Sequence, residues 1–313
     1  MIISICLNCS LDTRYTVSGF AAGSIHSAAP PSVTAGGKGL NLARVAAQLG
    51  AEVTALGLAG EKDLDFFVHA MKAEGVKPKF TGVPVPTRRC LNIIDPAAGA
   101  STEIREQGYP LGIEYFQAIL AMVTDLAPAA AVICASGSVP PGLPADVYAQ
   151  LGRLAQSLNK PFILDAKGEQ LSKGLDSRPF AVKPNRGELE AWAGYPLKTE
   201  EDISAALLRL SRAGVPLAVV SLGADGAMAA WQGQIWQAIP PRVDSLNPVG
   251  SGDAFAAGLA LSIERNLPLR DTLALATACG TANAMHPETG HIESSAIRQL
   301  LPQIQVNHWK GVS

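Results

Sequence analysis

Aromatic residues are scarce in this chain, with phenylalanine, tryptophan and tyrosine together making up 5% of its 313 residues. The core must therefore be packed from alanine, leucine, valine and glycine. Charge is sparse as well. There are 27 Asp+Glu against 25 Lys+Arg, a formal net charge of −2 at pH 7. That balance gives no electrostatic reason to expect nucleic acid or an anionic membrane as partner, so positive charge that matters must be local. No apolar run reaches the ~18 residues that cross a bilayer. Even the stretch from Leu111 to Ser138 is broken by Glu114, Asp125 and Pro128. The opening Met1-Ile2-Ile3-Ser4-Ile5-Cys6-Leu7 lacks the basic region of a signal peptide and reads as a first β-strand, so a cytoplasmic location is expected. Five cysteines, an odd number without framework spacing, argue for reduced thiols. Cys6-x-x-Cys9 has no second pair or clustered histidines to complete a metal site. Cys90, Cys134 and Cys279 read as small core residues.

What the chain does have is hydrophobic bulk (48%) and a regular rhythm. Strands at Ile2–Leu7 and Val53–Leu58 flank a helix from about Leu40 to Leu49. A second helix spans about Leu64–Glu74, and Gly50 and Gly75 are placed to stop the two helices. Further strands follow at Ala130–Cys134, Pro161–Asp165 and Leu217–Ser221. Helices are expected at about Pro144–Leu158, Glu200–Ala213, Ser251–Arg265 and Leu269–Met285. Such alternation implies a mostly parallel sheet covered by helices on both faces. Two segments, about 13–32 and 84–106, are β-leaning and turn-rich and fit antiparallel strands projecting from the main sheet as a lid. With no internal linker, residues 1–313 read as a single domain.

Four glycine-rich turns carry the chemistry. Asn247-Pro248-Val249-Gly250-Ser251-Gly252-Asp253 opens a helix, whose first amides and partial positive charge suit a phosphate or a developing anion. Asp253 sets a carboxylate, a possible general base, beside that site; the alternative is an acidic residue that merely favours the helix dipole. Gly36-Gly37-Lys38-Gly39-Leu40-Asn41 is a second helix entrance. Lys38 can oppose phosphate charge there and Asn41 can bind sugar hydroxyls, although the spacing is not that of a Walker A loop. In Lys183-Pro184-Asn185-Arg186-Gly187-Glu188, Asn185 and Glu188 share a helix face and can hold a hydrated magnesium ion. A capping box explains the same pair. Ser221-Leu222-Gly223-Ala224-Asp225-Gly226 ends a strand where open α/β sheets bind ligands. Asp12 also lies past a strand end, and Arg88, Arg89 and Arg105 cluster in the second lid segment, where a guanidinium can clamp a phosphate.

In this order the motifs resemble those of the ribokinase-like sugar kinases of the PfkB group, from Leu7 to about Ile292. Thr87-Arg88 and the Ser136–Gly142 loop resemble the branch that holds 1-phosphofructokinase and tagatose-6-phosphate kinase. Asn247–Asp253, with Asn283-Ala284 and Thr289-Gly290-His291, looks most like the latter. The resemblance implies a three-layer α/β/α sandwich with a small β lid. It also implies an ATP- and Mg2+-dependent transfer of phosphate to a phosphorylated ketohexose, tagatose 6-phosphate first among them. Asp253 would be the base, and the amides of Gly250, Ser251, Gly252 and Asp253 the anion hole. Asn185 and Glu188 would organise Mg2+. Lys183, Asn185, Ser221, Gly223, Gly226 and Asn283 would line the nucleotide. Asp12, Gly37, Lys38, Asn41, Arg88 and Ser138 would hold the sugar phosphate, and the lid would pair two subunits into a homodimer. Cys9 stands where related enzymes usually have proline and Arg105 where the branch commonly has asparagine, which leaves sugar identity open. Fructose 1-phosphate, fructose 6-phosphate, an unphosphorylated sugar or a nucleoside remain alternatives, as does a sugar-phosphate sensor without turnover. A dinucleotide-binding oxidoreductase is disfavoured because no G-x-G-x-x-G follows the first strand.

Overall fold

The structure, a computed structural model, describes residues 1–311; the last two residues of the expected 1–313 domain lie outside it. The chain begins with β1 (Ile2–Cys6). Alternate residues of this fully buried strand face opposite sides: Ile2 and Cys6 join one apolar cluster, Ile3 and Ile5 the other. A lid hairpin follows at once, β2 (Ser10–Thr16) and β3 (Ser32–Gly36). Then come α1 (Lys38–Gln48), β4 (Val53–Gly60), α2 (Leu64–Ala73) and β5 (Lys77–Val83). A second lid hairpin, β6 (Arg88–Asp95) and β7 (Ala100–Arg105), precedes α3 (Ile113–Leu126). Three strands then alternate with helices: β8 (Val132–Ser136), α4 (Val147–Ser157), β9 (Phe162–Asp165), α5 (Gly168–Gly174) and β10 (Ala181–Val182). Next are α6 (Arg186–Ala193), α7 (Glu200–Arg212), β11 (Leu217–Ser221), β12 (Ala227–Trp231) and β13 (Gln234–Ile239). The described chain closes with α8 (Ser251–Glu264), α9 (Leu269–Met285), α10 (Ser294–Leu300) and β14 (Gln305–His308).

The main sheet has ten strands in the order β14-β13-β12-β11-β10-β9-β8-β1-β4-β5. It is parallel from β11 to β5 and antiparallel from β11 to β14. Helices α1, α2, α8, α9 and α10 pack on one face, with Leu40, Phe67, Phe255 and Leu259 in that core. Helices α3 to α7 cover the other through Phe116, Tyr148, Leu171, Leu189 and Leu207. This is the three-layer α/β/α arrangement that the alternating pattern implies. Because aromatics are few, helix–sheet contacts lean on small residues. A Cβ on Gly39 would lie 2.6 Å from the Ile5 carbonyl oxygen, so glycine lets α1 approach β1.

From β1 the chain winds first to β4 and β5 on one side, and later from β8 through β11 on the other. The order reverses beside β1, the place where doubly wound sheets open a ligand crevice at the carboxyl ends of their strands. The lid rises from this edge as a separate four-stranded sheet, β3-β2-β6-β7. Its bounds differ from the expected 13–32 and 84–106: β2 starts at Ser10, β3 runs to Gly36, and the interval between them is irregular. The two hairpins are antiparallel internally, but β2 and β6 pair in parallel. A connection that leaves and re-enters the main sheet between them forces that direction. Among the described residues, no helix is long and apolar enough to cross a membrane.

Candidate active site

A cavity of about 690 Å³ lies between the lid and the carboxyl edge of the main sheet. Its floor is the start of α8. Gly250 caps this helix at φ +84°, a left-handed conformation that favours glycine, and turns the chain so that α8 points its N-terminus at the cavity. The Ser251 amide donates to the Pro248 carbonyl (3.2 Å) and the Asp253 amide to that of Gly250 (2.9 Å). The amides of Gly250 and Gly252 have no backbone partner among the described residues. Of the four amides expected to form an anion hole, these two are the ones without such a backbone partner.

Asp253 sits in the first turn of α8 and is buried. Its Oδ2 accepts from Asn41 Nδ2 at 2.8 Å. Burial raises the carboxyl to about 6, against the pull of Lys38. Asn41 itself has both amide ends occupied, since Arg44 Nη1 donates to its Oδ1 at 3.0 Å. It holds Asp253 and also lines the cavity, where the second Nδ2 hydrogen is left for another acceptor. Lys38 and Lys183 converge on the carboxylate of Asp165 at the end of β9, at 3.2 and 3.3 Å. Burial works against the charge on Asp165, but the two lysines hold it below the usual carboxylate range. Burial alone would lower Lys38, yet Asp165, Asp253 and Glu188 outweigh it and keep the ammonium charged.

Asn185 and Glu188 form a capping box at the start of α6: Asn185 Oδ1 accepts from the Glu188 amide and Glu188 Oε2 from the Asn185 amide, both at 2.9 Å. Both residues line the cavity, and Glu188 Oε1 remains, 4.0 Å from Lys38. A single carboxylate oxygen suits an ion that keeps most of its water and takes phosphate oxygens as its other ligands. Ser221, Gly223 and Gly226 line the same cavity at the β11–β12 turn, beside Lys183.

At the lid end, Asp12, Gly37 and Arg88 line the cavity together with Arg14 and Arg105. Asp12 accepts from Ser10 Oγ at 2.6 Å, and burial raises its carboxyl. Arg88 is anchored through Nε to the Asn8 carbonyl (3.0 Å) and through Nη1 to the Glu106 carbonyl (3.1 Å) and Cys90 Sγ (3.2 Å). Cys90 is therefore a cavity wall and not the core residue its apolar neighbours imply. Ser138 is displaced from its expected place. It does not line the cavity, and its hydroxyl accepts from Asn8 Nδ2 at 3.0 Å. Asn283 likewise does not line the cavity: it is fully buried, with Nδ2 donating to the Val249 carbonyl at 2.9 Å and Oδ1 accepting from the Gly290 amide at 2.9 Å. It braces the turn before α8 from below.

Sequence reasoning missed Asp165 and Arg44. Asp165 ends the apolar strand Phe162–Asp165, and a charge at that position is a signal once strand ends are known to carry ligands. Arg44 is the one charged residue within the buried run Gly39–Ala46 of α1. Nothing in its immediate neighbours says what it faces.

A buried carboxylate beside a helix N-terminus, with cations on either side and a lid above, defines an enzyme that works on phosphate groups at the switch point of an α/β sheet. The model of the pfkB family carbohydrate kinases matches residues 4–296, and the chain belongs to that family. It is a phosphotransferase with a hydroxyl acceptor. Phosphofructokinase-2 of Escherichia coli is 27% identical, with a TM-score of 0.92 over 96% of this chain and 98% of that one. A possible 1-phosphofructokinase of Thermotoga maritima is 22% identical, with a TM-score of 0.90 over 99% and 100% of the two chains. Arabidopsis thaliana ribokinase is also 22% identical, with a TM-score of 0.77 over 96% and 98%. The last two likenesses show the fold.

Proposed function

We propose that the protein transfers the γ-phosphate of ATP to a hydroxyl of a ketohexose monophosphate, tagatose 6-phosphate, giving the 1,6-bisphosphate. The observation that carries this reading is the shape of one cavity: Asp253 and the α8 N-terminus at its floor, and Arg14, Arg88 and Arg105 at its lid end. The arginines suit the phosphate already on the sugar, while the floor suits the one being transferred. A second reading, fructose 6-phosphate, is favoured by the likeness to E. coli phosphofructokinase-2, a protein seen in complex with that sugar phosphate.

In this mechanism Asn41 holds one oxygen of Asp253, and the other takes the proton of the attacking hydroxyl. The amides of Gly250 and Gly252 and the α8 dipole stabilise charge on the group in transfer, and Lys38 adds a fixed cation. Mg2+ supplies charge neutralisation on the nucleotide phosphates, and Glu188 Oε1 with Asn185 would hold its water shell. Lys183, Ser221, Gly223 and Gly226 would line the nucleotide. Closing the lid excludes water and so suppresses hydrolysis of ATP. The lid also pairs two subunits.

The experiment is ADP release with Mg-ATP against tagatose 6-phosphate, fructose 6-phosphate, fructose 1-phosphate, free fructose, ribose and adenosine. We expect turnover only with a phosphorylated ketose, highest with tagatose 6-phosphate. Preference for fructose 6-phosphate would select the second reading. In the same assay Arg88→Ala is expected to raise KM for the sugar phosphate by roughly tenfold to a hundredfold, the loss of a charge-assisted hydrogen bond. Activity on free sugars or nucleosides alone, insensitive to Arg88, would overturn the proposal.

A further inference from the structure

Arg44 lies outside every motif the reaction uses, yet it is buried in α1 with 3% of its surface exposed. A guanidinium is a costly group to bury unless its donors are used. Here Nη1 donates to Asn41 Oδ1 and Nη2 to the Ala35 carbonyl, both at 3.0 Å. Its Nε stands 3.5 Å from Glu74 Oε1, and Glu74 in turn faces His291 Nε2 at 3.1 Å. The amide it grips is the one that donates to Asp253 Oδ2 at 2.8 Å.

An asparagine amide has two faces, and only one suits an ionised carboxylate. With Nδ2 toward Asp253 the amide donates and favours the charged form. Flipped, it presents Oδ1, which tolerates Asp253 only when the acid carries its proton. A cation fixed on Oδ1 removes the flipped state. Resting on the reading of Asp253 as the base, we propose that Arg44 is a positioning residue that locks the Asn41 amide in the orientation keeping Asp253 ionised and aimed at the acceptor hydroxyl. Ala35 and Glu74 hold the arginine in turn, so the lock ties α1 to β3 and to the end of α2. The charged groups facing the pair are Lys38, Asp165 and Lys183 around Asp253, and Glu74, Asp12 and Glu288 around Arg44. None of these replaces a donor on Asn41 Oδ1.

The test is the pH profile of kcat/KM for Arg44→Met and Arg44→Lys, with nucleotide affinity measured on each variant as proof of a folded site. We expect Arg44→Met to move the acid limb upward by about one pH unit, the effect of one lost hydrogen bond to a charged group. Turnover should then fall about fivefold further at pH 6 than at pH 8, while KM for ATP stays near that of the parent. Arg44→Lys, which keeps the charge and loses the fork, should move the limb by less. In an Asn41→Ala background Arg44→Met should move it no further. A profile lowered evenly at all pH values, or a shift that persists without Asn41, would overturn the proposal. If Arg44→Met fails to bind nucleotide, the lysine variant and its Asn41→Ala double decide the matter in the same way. An Asp253→Asn enzyme that keeps its turnover would instead overturn the reading of the base, which separates the two failures.

Discussion

At the scale of the residue, Asp253 shows how function is set against stability. Burial raises its carboxyl from 3.8 to about 6, close to the pH at which a base works best. A carboxyl raised by folding binds its proton more tightly in the native state than in the unfolded one. Its contribution is therefore complete below the unfolded value near 3.8 and is lost as pH rises through about 6. Above pH 6 the ionised group costs up to about 3 kcal/mol. Asparagine in its place is neutral at every pH. We expect Asp253→Asn to lower turnover by about 10²-fold or more while nucleotide binding persists. The variant should also withstand denaturant better than the parent at pH 8, with the advantage gone at pH 4. Unchanged turnover would remove Asp253 as base, and equal stability at pH 8 would remove the cost assigned to its charge.

At the scale of the element, α6 is asked to do two things with the same side chains. Its capping box joins Asn185 and Glu188 through two backbone bonds, so that the helix start is rigid where the metal and nucleotide would sit. Glu188→Gln keeps an acceptor for the Asn185 amide and removes the charge at Oε1. It should leave melting nearly unchanged and raise the Mg2+ concentration needed for half-maximal rate. Asn185→Ala, which loses the cap, should cost about 1 kcal/mol of stability as well. An unaltered Mg2+ titration in both variants would confine the pair to capping. Elements of this kind were legible in the sequence because their signals are local. Gly50 and Gly75 lie just past α1 and α2 at φ +80° and +76°, and Leu269–Met285 matches α9 end to end. What escaped was what depends on distant chain. The apolar run after Leu111 contains α3, whose amphipathic spacing was hidden by its overall hydrophobicity. In the site, Asp253, Lys38 and Glu188 are reached from their turns and line the cavity, whereas Asn283 and Ser138 stand outside its lining, on partners that local sequence does not bring into view.

At the scale of the molecule, the lid is a sheet with two different faces, and register decides which is which. Thr34, Asp12, Cys90 and Arg105 stand opposite one another across its four strands, a polar row that lines the cavity. The neighbouring row, one residue along each strand, is Val33, Thr13, Leu91 and Ile104. Thr13 and Leu91 at the middle of this row still border the cavity, whereas Val33 and Ile104 at its two ends do not line it. Tyr15 and Ile93 pair in register on the same face as this row. Val33 and Ile104 are 44% and 54% exposed. A small, two-faced sheet with an apolar outer side and an edge at β3 and at β7 is poorly stable standing alone. Covering it with the same face of a second copy would bury those side chains and stiffen the strands that carry Asp12, Arg88 and Arg105. We expect the parent protein to scatter light as a dimer and the double variant Val33→Glu, Ile104→Glu to scatter as a monomer, since like charges would then meet across the twofold. The variant should bind ATP as before, because Ser221 and its neighbours, at the proposed nucleotide end of the cavity, belong to the main sheet and its turns. Its KM for the sugar phosphate should rise, because the arginines would lose their rigid mount. A parent that is monomeric, or a monomeric variant with unaltered sugar affinity, would mean that the lid holds its shape without a partner.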